Sequence, residues 1–245
     1  MISQPLLGKA ALVTGGARRI GRAIALELAS AGADMTITYR NSKTEAEDTL
    51  QLIHQLGRQA IALECDVRSE SSVRYAVANC INFQGHLNIL VNNAAIYESV
   101  PLDTMSLDQW DAVFETNARG PFLVAREALP YLRASHGRII NIGSLGGLRA
   151  WPGHAHYCAS KAALHMLTEA MAKSFAPEVA VNCVAPGWIE FDEDKGQPVT
   201  ERFAAKTPMQ RNGAAKDVAE AVAFFAATSN FITGQVLTVD GGLGL

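Results

Sequence analysis

A serine, a tyrosine and a lysine are the residues of this sequence whose types and spacing most directly suggest chemistry. Tyr157 and Lys161 stand four residues apart in the segment YCASK, and Ser144 precedes them. If the run from about 156 to 175 is helical, Tyr157 and Lys161 lie on one helix face. An ammonium held near a phenol favours the phenolate, so Tyr157 could exchange a proton near neutral pH. The hydroxyl of Ser144 could donate to a carbonyl oxygen on which negative charge gathers during hydride transfer.

A glycine-rich turn near the start of the chain suggests a nucleotide. The segment TGGARRIG follows the apolar run AALVT and leads directly into a pattern of helical period. Glycines let the backbone approach a pyrophosphate, which amide N–H groups and the helix N-terminus can hold. A tight turn that only packs a helix on a strand is the alternative. From this turn we predict five cofactor-binding residues: Gly15, Arg18, Arg19, Ile20 and Gly21.

The end of the second predicted strand indicates which nucleotide. This strand ends in Tyr39-Arg40-Asn41-Ser42, where an NAD site would carry an acid for the ribose 2′-hydroxyl. Two guanidiniums, of Arg18 and Arg40, suit a phosphate better than a hydroxyl. We therefore predict NADP(H), bound in part by Arg40 and Ser42. Arg40 as an ordinary solvated loop charge is the alternative.

Two further strand ends carry candidate cofactor contacts. Asp66 and Val67 follow the third strand and suit an adenine edge. Asn93 and Ala94 follow the fourth, where small residues and a bridging amide would let a cofactor lie close to the backbone.

The elements that must position these residues alternate along the whole chain. Seven short apolar or β-branched runs are separated by stretches of helical period. This alternation predicts a doubly wound (Rossmann) α/β fold, with a parallel seven-stranded sheet and helices on both faces. No linker-like segment divides the chain, so we predict one domain over residues 1–245. The longest excursion, 188–213, is predicted to be a substrate lid.

Composition limits the remaining possibilities. The chain has 245 residues, of which 49% are hydrophobic and 18% charged, with a formal net charge of −3. These values exclude a disordered chain and lack the basic footprint of a nucleic-acid binder. The sequence shows no membrane segment or export signal, and its four cysteines form no CxxC pair, so we expect a cytoplasmic setting with reduced thiols. His154 and His156 have HxH spacing but no third ligand, so no metal is predicted.

Taken in order along the chain, these motifs resemble the short-chain dehydrogenase/reductase family over essentially its full length. The resemblance implies that Tyr157 is the general acid or base, and that Lys161 holds the nicotinamide ribose and depresses the Tyr157 pKa. It further implies that Ser144 positions the carbonyl and that Asn117, in ETNARG, supports a relay water. By the same resemblance, the cofactor would also contact Pro186, Gly187 and Ile189.

This sequence departs from the usual family pattern at three positions, none of which removes a catalytic group. Arg19 replaces the middle glycine of the turn, Ala95 replaces a glycine, and Phe191 replaces a threonine. The family resemblance also implies a homotetramer, with interfaces on helices at about 104–134 and 155–176. We expect small residues there to permit close approach: Ala118, Ala125, Ala159, Ala163 and Ala170.

The sequence predicts the type of reaction in more detail than the identity of the substrate. We expect a small-molecule carbonyl compound in an aromatic-lined pocket built from Tyr97, Leu145, Leu148, Trp151, His154, His156, Trp188 and Phe191. The C-terminal half is similar to 3-oxoacyl-carrier-protein reductases, and the ARRIG turn to pteridine reductases. Ser144 favours ketone reduction. The acidic lid, with Ser135 and Glu178 where bases would help docking, opposes an acidic carrier protein. A nucleotide-binding regulator without catalysis is the alternative of another class.

Overall fold

The computed structural model describes residues 4 to 245, and its framework is a seven-stranded parallel sheet. The strands stand in the spatial order β3-β2-β1-β4-β5-β6-β7, and every neighbouring pair is parallel. The doubly wound fold predicted from the sequence is therefore confirmed. The strand bounds are β1 (Ala10–Val13), β2 (Asp34–Tyr39), β3 (Ala60–Glu64), β4 (Ile89–Asn92), β5 (Arg138–Ile142), β6 (Ala180–Pro186) and β7 (Val236–Val239).

Helices cover both faces of this sheet. Two clusters of buried side chains lie on opposite faces: one includes Ile24, Leu28 and Val222, and the other includes Val77 and Leu132. Both faces are buried because continuous apolar strands such as β1 and β4 project side chains to both sides. The helix bounds are α1 (Arg19–Ser30), α2 (Lys43–Gln55), α3 (Glu70–Gln84), α4 (Leu107–Phe114), α5 (Gly120–Ala134), α6 (Ala155–Phe175), α7 (Pro198–Lys206) and α8 (Ala215–Ala227).

The helical region expected at about 104–134 is divided. A capping box between Ser106 and Gln109 starts α4, and a π-helical turn over Glu115–Arg119 then joins α4 to α5. Such π-turns insert a residue into the helix and are frequent at functional sites. This turn contains Asn117, one of the predicted site residues.

The 188–213 segment contains more structure than its sequence suggested. It forms a short 3₁₀ turn over Asp192–Asp194 and the helix α7, which begins with Pro198 at its first position. A bridge between Ile189 and Gly213 closes its base, with the Glu190 amide donating to the Gly213 carbonyl at 2.8 Å. The segment is therefore a loop whose two ends are held together.

Chain order reverses beside β1, and this reversal places the site. β1 lies between β2 and β4, so the connections from β1 and β4 leave in opposite directions and open a crevice at the carboxyl ends. α1 starts directly after the glycine-rich turn that follows β1. Within residues 4–245, no helix is both long and apolar enough to cross a membrane.

Candidate active site

A cavity of about 360 Å³ opens at the carboxyl ends of β1 to β4. It brings together eleven of the residues predicted to bind cofactor: Gly15, Arg18, Arg19, Ile20, Gly21, Arg40, Ser42, Asp66, Val67, Asn93 and Ala94. The other predicted cofactor residues, Tyr157, Lys161, Pro186, Gly187 and Ile189, do not line it. The sequence reasoning missed Ile96 and Thr116, although Ile96 follows the NNAA motif and Thr116 precedes Asn117.

The glycine-rich turn has no room for side chains. A Cβ at Gly21 would lie 2.1 Å from the Gly15 carbonyl oxygen and 2.6 Å from Asn93 Nδ2. Gly15 itself has φ +63°, a backbone conformation that glycine adopts without strain. The turn thus packs tightly on the β4 end and leaves its outer side free to face a ligand.

Asn93 and Thr14 tie the β1 and β4 ends together. Asn93 Nδ2 donates to the carbonyls of Thr14 (2.9 Å) and Gly15 (3.0 Å). Thr14 Oγ1 accepts from the backbone amides of Asn93 (3.0 Å) and Ala94 (3.1 Å). The Asn93 side chain therefore holds the cradle, and direct cofactor contact by this amide stays a prediction.

Arg19 spans the mouth of the cavity. Its φ is +51°, so the residue that replaces a glycine adopts the left-handed backbone that glycine would favour. Its Nη2 lies 2.7 Å from Glu193 Oε1, and its guanidinium carbon lies 5.1 Å from the Phe191 ring centroid. Phe191 lines this cavity, and its predicted contact with the substrate stays a prediction. The 188–213 segment reaches the glycine turn through these two contacts.

The part of the cavity lined by Arg18 and Arg40 carries unpaired positive charge. Arg18 and Arg40 are exposed, and neither lies within 4.0 Å of a carboxylate oxygen of residues 4–245. Ser42 is the N-cap of α2, yet its side chain makes no capping hydrogen bond. Two free guanidiniums, a free hydroxyl and a helix N-terminus together suit a phosphate.

Asp66 lines the cavity but its carboxylate is already engaged. Arg68 Nη2 donates to Asp66 Oδ2 at 2.6 Å, and Arg68 Nε donates to both carboxylate oxygens at 3.0 and 3.1 Å. The hydrogen bonds from Arg68 hold the pKa of Asp66 below its usual value. An adenine contact would therefore have to share this carboxylate with Arg68.

Ser144, Tyr157 and Lys161 meet where β5 ends against the start of α6. Ser144 is buried, and its Oγ accepts from the Gly146 amide at 3.0 Å. The Ser144 side chain also lies close enough to Tyr157 to act on the pKa of its phenol. Lys161 Nζ lies 5.8 Å from the Tyr157 ring centroid and donates to the Ile142 carbonyl at 2.7 Å. The three predicted catalytic side chains are thus neighbours.

Burial shifts the pKa values of both Tyr157 and Lys161. Burial raises the pKa of Tyr157 to about 12, although the neighbouring Ser144 side chain acts in the opposite direction. Burial also lowers the pKa of Lys161 to about 8. Burial therefore has the largest influence on both groups, and the lowering of the Tyr157 pKa by Lys161 that the family resemblance implies stays a prediction.

Asn117 holds the loop after β4. Its Oδ1 accepts from the Ile96 amide at 2.9 Å, and its Nδ2 donates to the Ile96 carbonyl (3.0 Å) and to Ser160 Oγ (3.1 Å). These contacts use both donor hydrogens of the side-chain amide and one of the two acceptor positions of its oxygen. The support of a relay water by Asn117 stays a prediction.

Aromatic side chains surround Tyr157. Tyr97 packs edge-on against it at 4.9 Å, Trp151 stacks at 6.2 Å, and His154 stacks on Tyr97 at 4.8 Å. Leu148 is exposed nearby in sequence, whereas Leu145 is buried. Part of the predicted substrate pocket is therefore assembled around the candidate acid.

Two other predicted pocket residues are placed differently. His156 is fully buried, and neither of its ring nitrogens has a hydrogen-bond partner among residues 4–245. Trp188 stacks on Phe203 of α7 with ring centroids 4.2 Å apart, so it packs the 188–213 segment on itself. Among the described residues, no group of three histidines, cysteines or acids could hold a metal ion.

Comparisons with known proteins place this site in a family. Residues 15–244 match a family model described as enoyl-(acyl carrier protein) reductase. The chain is 37% identical to the 3-oxoacyl-[acyl-carrier-protein] reductase FabG of Staphylococcus aureus over 240 residues, which is 96% of this chain and 98% of the relative.

Solved structures agree with this match. A short-chain dehydrogenase from Burkholderia cenocepacia in complex with NADP superposes with a TM-score of 0.93 at 39% identity, covering 98% of this chain and 100% of the other. A blue fluorescent protein from a metagenomic library, in complex with NADPH, superposes with a TM-score of 0.91 at 37% identity, covering 99% and 100%. Because model, relatives and structures all match almost the entire chain, it belongs to the short-chain dehydrogenase/reductase family of nicotinamide-dependent oxidoreductases.

Proposed function

We propose that this protein is an NADPH-dependent reductase of ketones, reversible to the oxidation of secondary alcohols. The observation that carries this proposal is that Ser144, Tyr157 and Lys161 lie together where β5 ends against α6, at the sheet edge that also carries a cavity with phosphate-binding features. Two neighbouring hydroxyl groups, those of Ser144 and Tyr157, suit a substrate oxygen on which charge develops.

The cavity fits the nucleotide in shape and charge. The glycine turn would hold the pyrophosphate at the N-terminus of α1, and Arg18, Arg40 and Ser42 would hold a ribose 2′-phosphate. Lys161, and the β6 end with Pro186, Gly187 and Ile189, would face the nicotinamide part. When bound, NADPH supplies the hydride that reduces the carbonyl carbon.

The protein's own groups provide the proton and the orientation. The Ser144 hydroxyl orients the substrate oxygen, and Tyr157 donates its proton to that oxygen as negative charge builds up. A pKa of about 12 keeps Tyr157 protonated at neutral pH, the form required for reduction. Lys161 keeps its positive charge close to the site, which favours the resulting phenolate.

The substrate class follows from the groups around Tyr157. The aromatic wall of Tyr97, Trp151 and His154 suits a small compound with an apolar or planar body. The relative named as a 3-oxoacyl-carrier-protein reductase supports a 3-oxoacyl-type substrate. Ser144 supports a ketone over a pteridine.

The charge of the 188–213 segment is partly compensated. Asp192 pairs with Lys195 at 2.6 Å, and Glu193 pairs with Arg19. Its repulsion of an acidic carrier protein is accordingly weaker than its sequence suggests. We propose a free carbonyl compound as the substrate, and the carrier-bound form of the same compound is the substrate to compare with it.

NADPH consumption with a substrate panel tests this proposal. The panel contains 3-oxoacyl esters, diketones and dihydropterin, each assayed with wild type and Tyr157→Phe. We expect turnover of at least one ketone, and a loss of about 100-fold or more when Tyr157 can no longer donate a proton. If wild type and variant consume NADPH alike with every compound, the protein is not an NADPH-dependent ketone reductase. That result would favour the alternative of a nucleotide-binding regulator without catalysis.

We also propose a homotetramer and a cytoplasmic setting. Exposed apolar side chains on α5 and α6, namely Phe122, Tyr131 and Met166, support an interface there. Ala125 cannot contribute, since it is fully buried in the monomer core, whereas Ala170 is exposed. The four cysteines are free and buried, which supports a reducing compartment.

A further inference from the structure

His165 is a buried titratable residue that the proposed mechanism does not use. It lies on α6 one helical turn after Lys161, with 6% of its surface exposed. Residues 157, 161 and 165 are spaced by four, so they share one face of the helix. His165 therefore follows the candidate acid and its lysine along the side that faces β5.

The imidazole of His165 packs against two glycines, Gly143 before Ser144 and Gly147 after it. A Cβ at Gly143 would lie 2.3 Å from His165 Nε2, and a Cβ at Gly147 would lie 2.6 Å from His165 Cε1. Any side chain at either position would collide with the ring. The absence of side chains there gives the ring direct access to the backbone that carries Ser144.

In this position between the two glycines, the ring contacts the Ser144 backbone. The Ser144 backbone amide donates to His165 Nε2 at 3.4 Å, a long but directed hydrogen bond. Lys161 Nζ, on the same helix, donates at 2.7 Å to the carbonyl of Ile142, which lies two residues before Ser144. The helix that carries Tyr157 is thus attached to the Ser144 strand end at two points.

The ring is suited to accept this hydrogen bond. Burial lowers the pKa of His165 to about 4, and the charge of Lys161 acts in the same direction. The imidazole is therefore neutral at physiological pH, with Nε2 as the acceptor and the proton on Nδ1, which has no partner among residues 4–245.

We propose that His165 is a positioning residue that sets the place of Ser144 relative to Tyr157 through the Ser144 amide. This inference rests on the proposed function, because it assigns to Ser144 the orientation of the substrate oxygen. Misplacing an orienting group by about 1 Å can lower turnover by up to about 100-fold.

Three variants test this role. His165→Leu removes the acceptor at similar volume, and we expect kcat for the ketone to fall about 10-fold while the NADPH dissociation constant stays within about twofold. His165→Gln places an oxygen near the Nε2 position and should restore most of kcat. Thr168→Val is the matched control, since it removes another buried α6-to-β5 hydrogen bond, from Asn141 Nδ2 at 2.9 Å. It should lower thermal stability and leave kcat unchanged.

The outcomes separate this proposal from the proposed function. If wild type reduces ketones and His165→Leu keeps the wild-type kcat, or His165→Gln falls as far as His165→Leu, the positioning role is refuted and the enzyme assignment stands. If wild type reduces no ketone, the proposed function fails. The role of His165 as acceptor is then decided by the ¹⁵N-NMR tautomer of its ring, where a protonated Nε2 overturns it.

Discussion

Removing Arg18 and Arg40 should weaken NADPH binding and leave NADH binding almost unchanged. Both side chains line the cavity and are exposed, and neither pairs with a carboxylate of residues 4–245. Replacing them with alanine therefore breaks no ion pair within the protein. The whole effect should come from lost contact with the 2′-phosphate, the group by which the two cofactors differ.

The expected magnitude follows from their exposure. A hydrogen bond to a charged group contributes about 1.5–3 kcal/mol, and solvent at an exposed site reduces this to about 1–2 kcal/mol for each arginine. Each single variant should thus raise the NADPH dissociation constant about 5- to 30-fold, and the double variant about 100-fold. Because exposed charges are screened, the wild-type affinity should also fall with salt more steeply than that of the double variant.

Fluorescence titration of both cofactors measures this difference. Arg74→Ala is the control, because it also removes one exposed arginine, here paired with Glu70 at 3.3 Å and outside the cavity. It should leave both dissociation constants unchanged. Equal weakening of NADPH and NADH binding in the double variant would refute the assignment of these arginines to the 2′-phosphate.

Two further predictions concern Lys161 and the assembly. The folded-state pKa of Lys161, about 8, lies below its ordinary 10.5, so the unfolded chain binds the extra proton between these values. The free energy of unfolding of the wild type, relative to that of Lys161→Met, should therefore rise by about 3 kcal/mol as pH increases from about 8 to 10.5. Urea unfolding of both proteins at both pH values measures this difference. A difference that stays constant with pH would contradict the prediction. Light scattering should give about four times the chain mass of 26.2 kDa, and Ala170→Arg should reduce it; a monomeric wild type would exclude the tetramer.

Most of the nucleotide cavity could be predicted because it is built from strand ends. In a parallel sheet, all carboxyl ends meet at one edge, so the turns after β1 to β4 converge although they are far apart in sequence. The turn with Gly15 and Gly21 and the turn with Asn93 and Ala94 could therefore be assigned to one site without coordinates. Tyr157 and Lys161 were predictable for a similar reason, since helical spacing alone places them on one face.

Contacts between distant segments required the tertiary structure. Arg19 meets Glu193 and Phe191 at the mouth of the cavity, so Phe191 belongs to the lining of the cavity at the β1 to β4 ends. Spacing could have indicated His165 as the next member of the Tyr157 and Lys161 face. Only the coordinates show that its ring lies between Gly143 and Gly147.

The sequence by itself determined the fold class, the edge of the sheet that carries the site, and the types of groups available there. These features depend on period and on strand order, which are local or topological properties. The tertiary structure decided how buried and how engaged each group is: Tyr157 is desolvated, the Asp66 carboxylate is held by Arg68, and Ala125 is part of the core. Burial and pairing depend on residues from several segments at once, and for that reason no local pattern in the sequence reveals them.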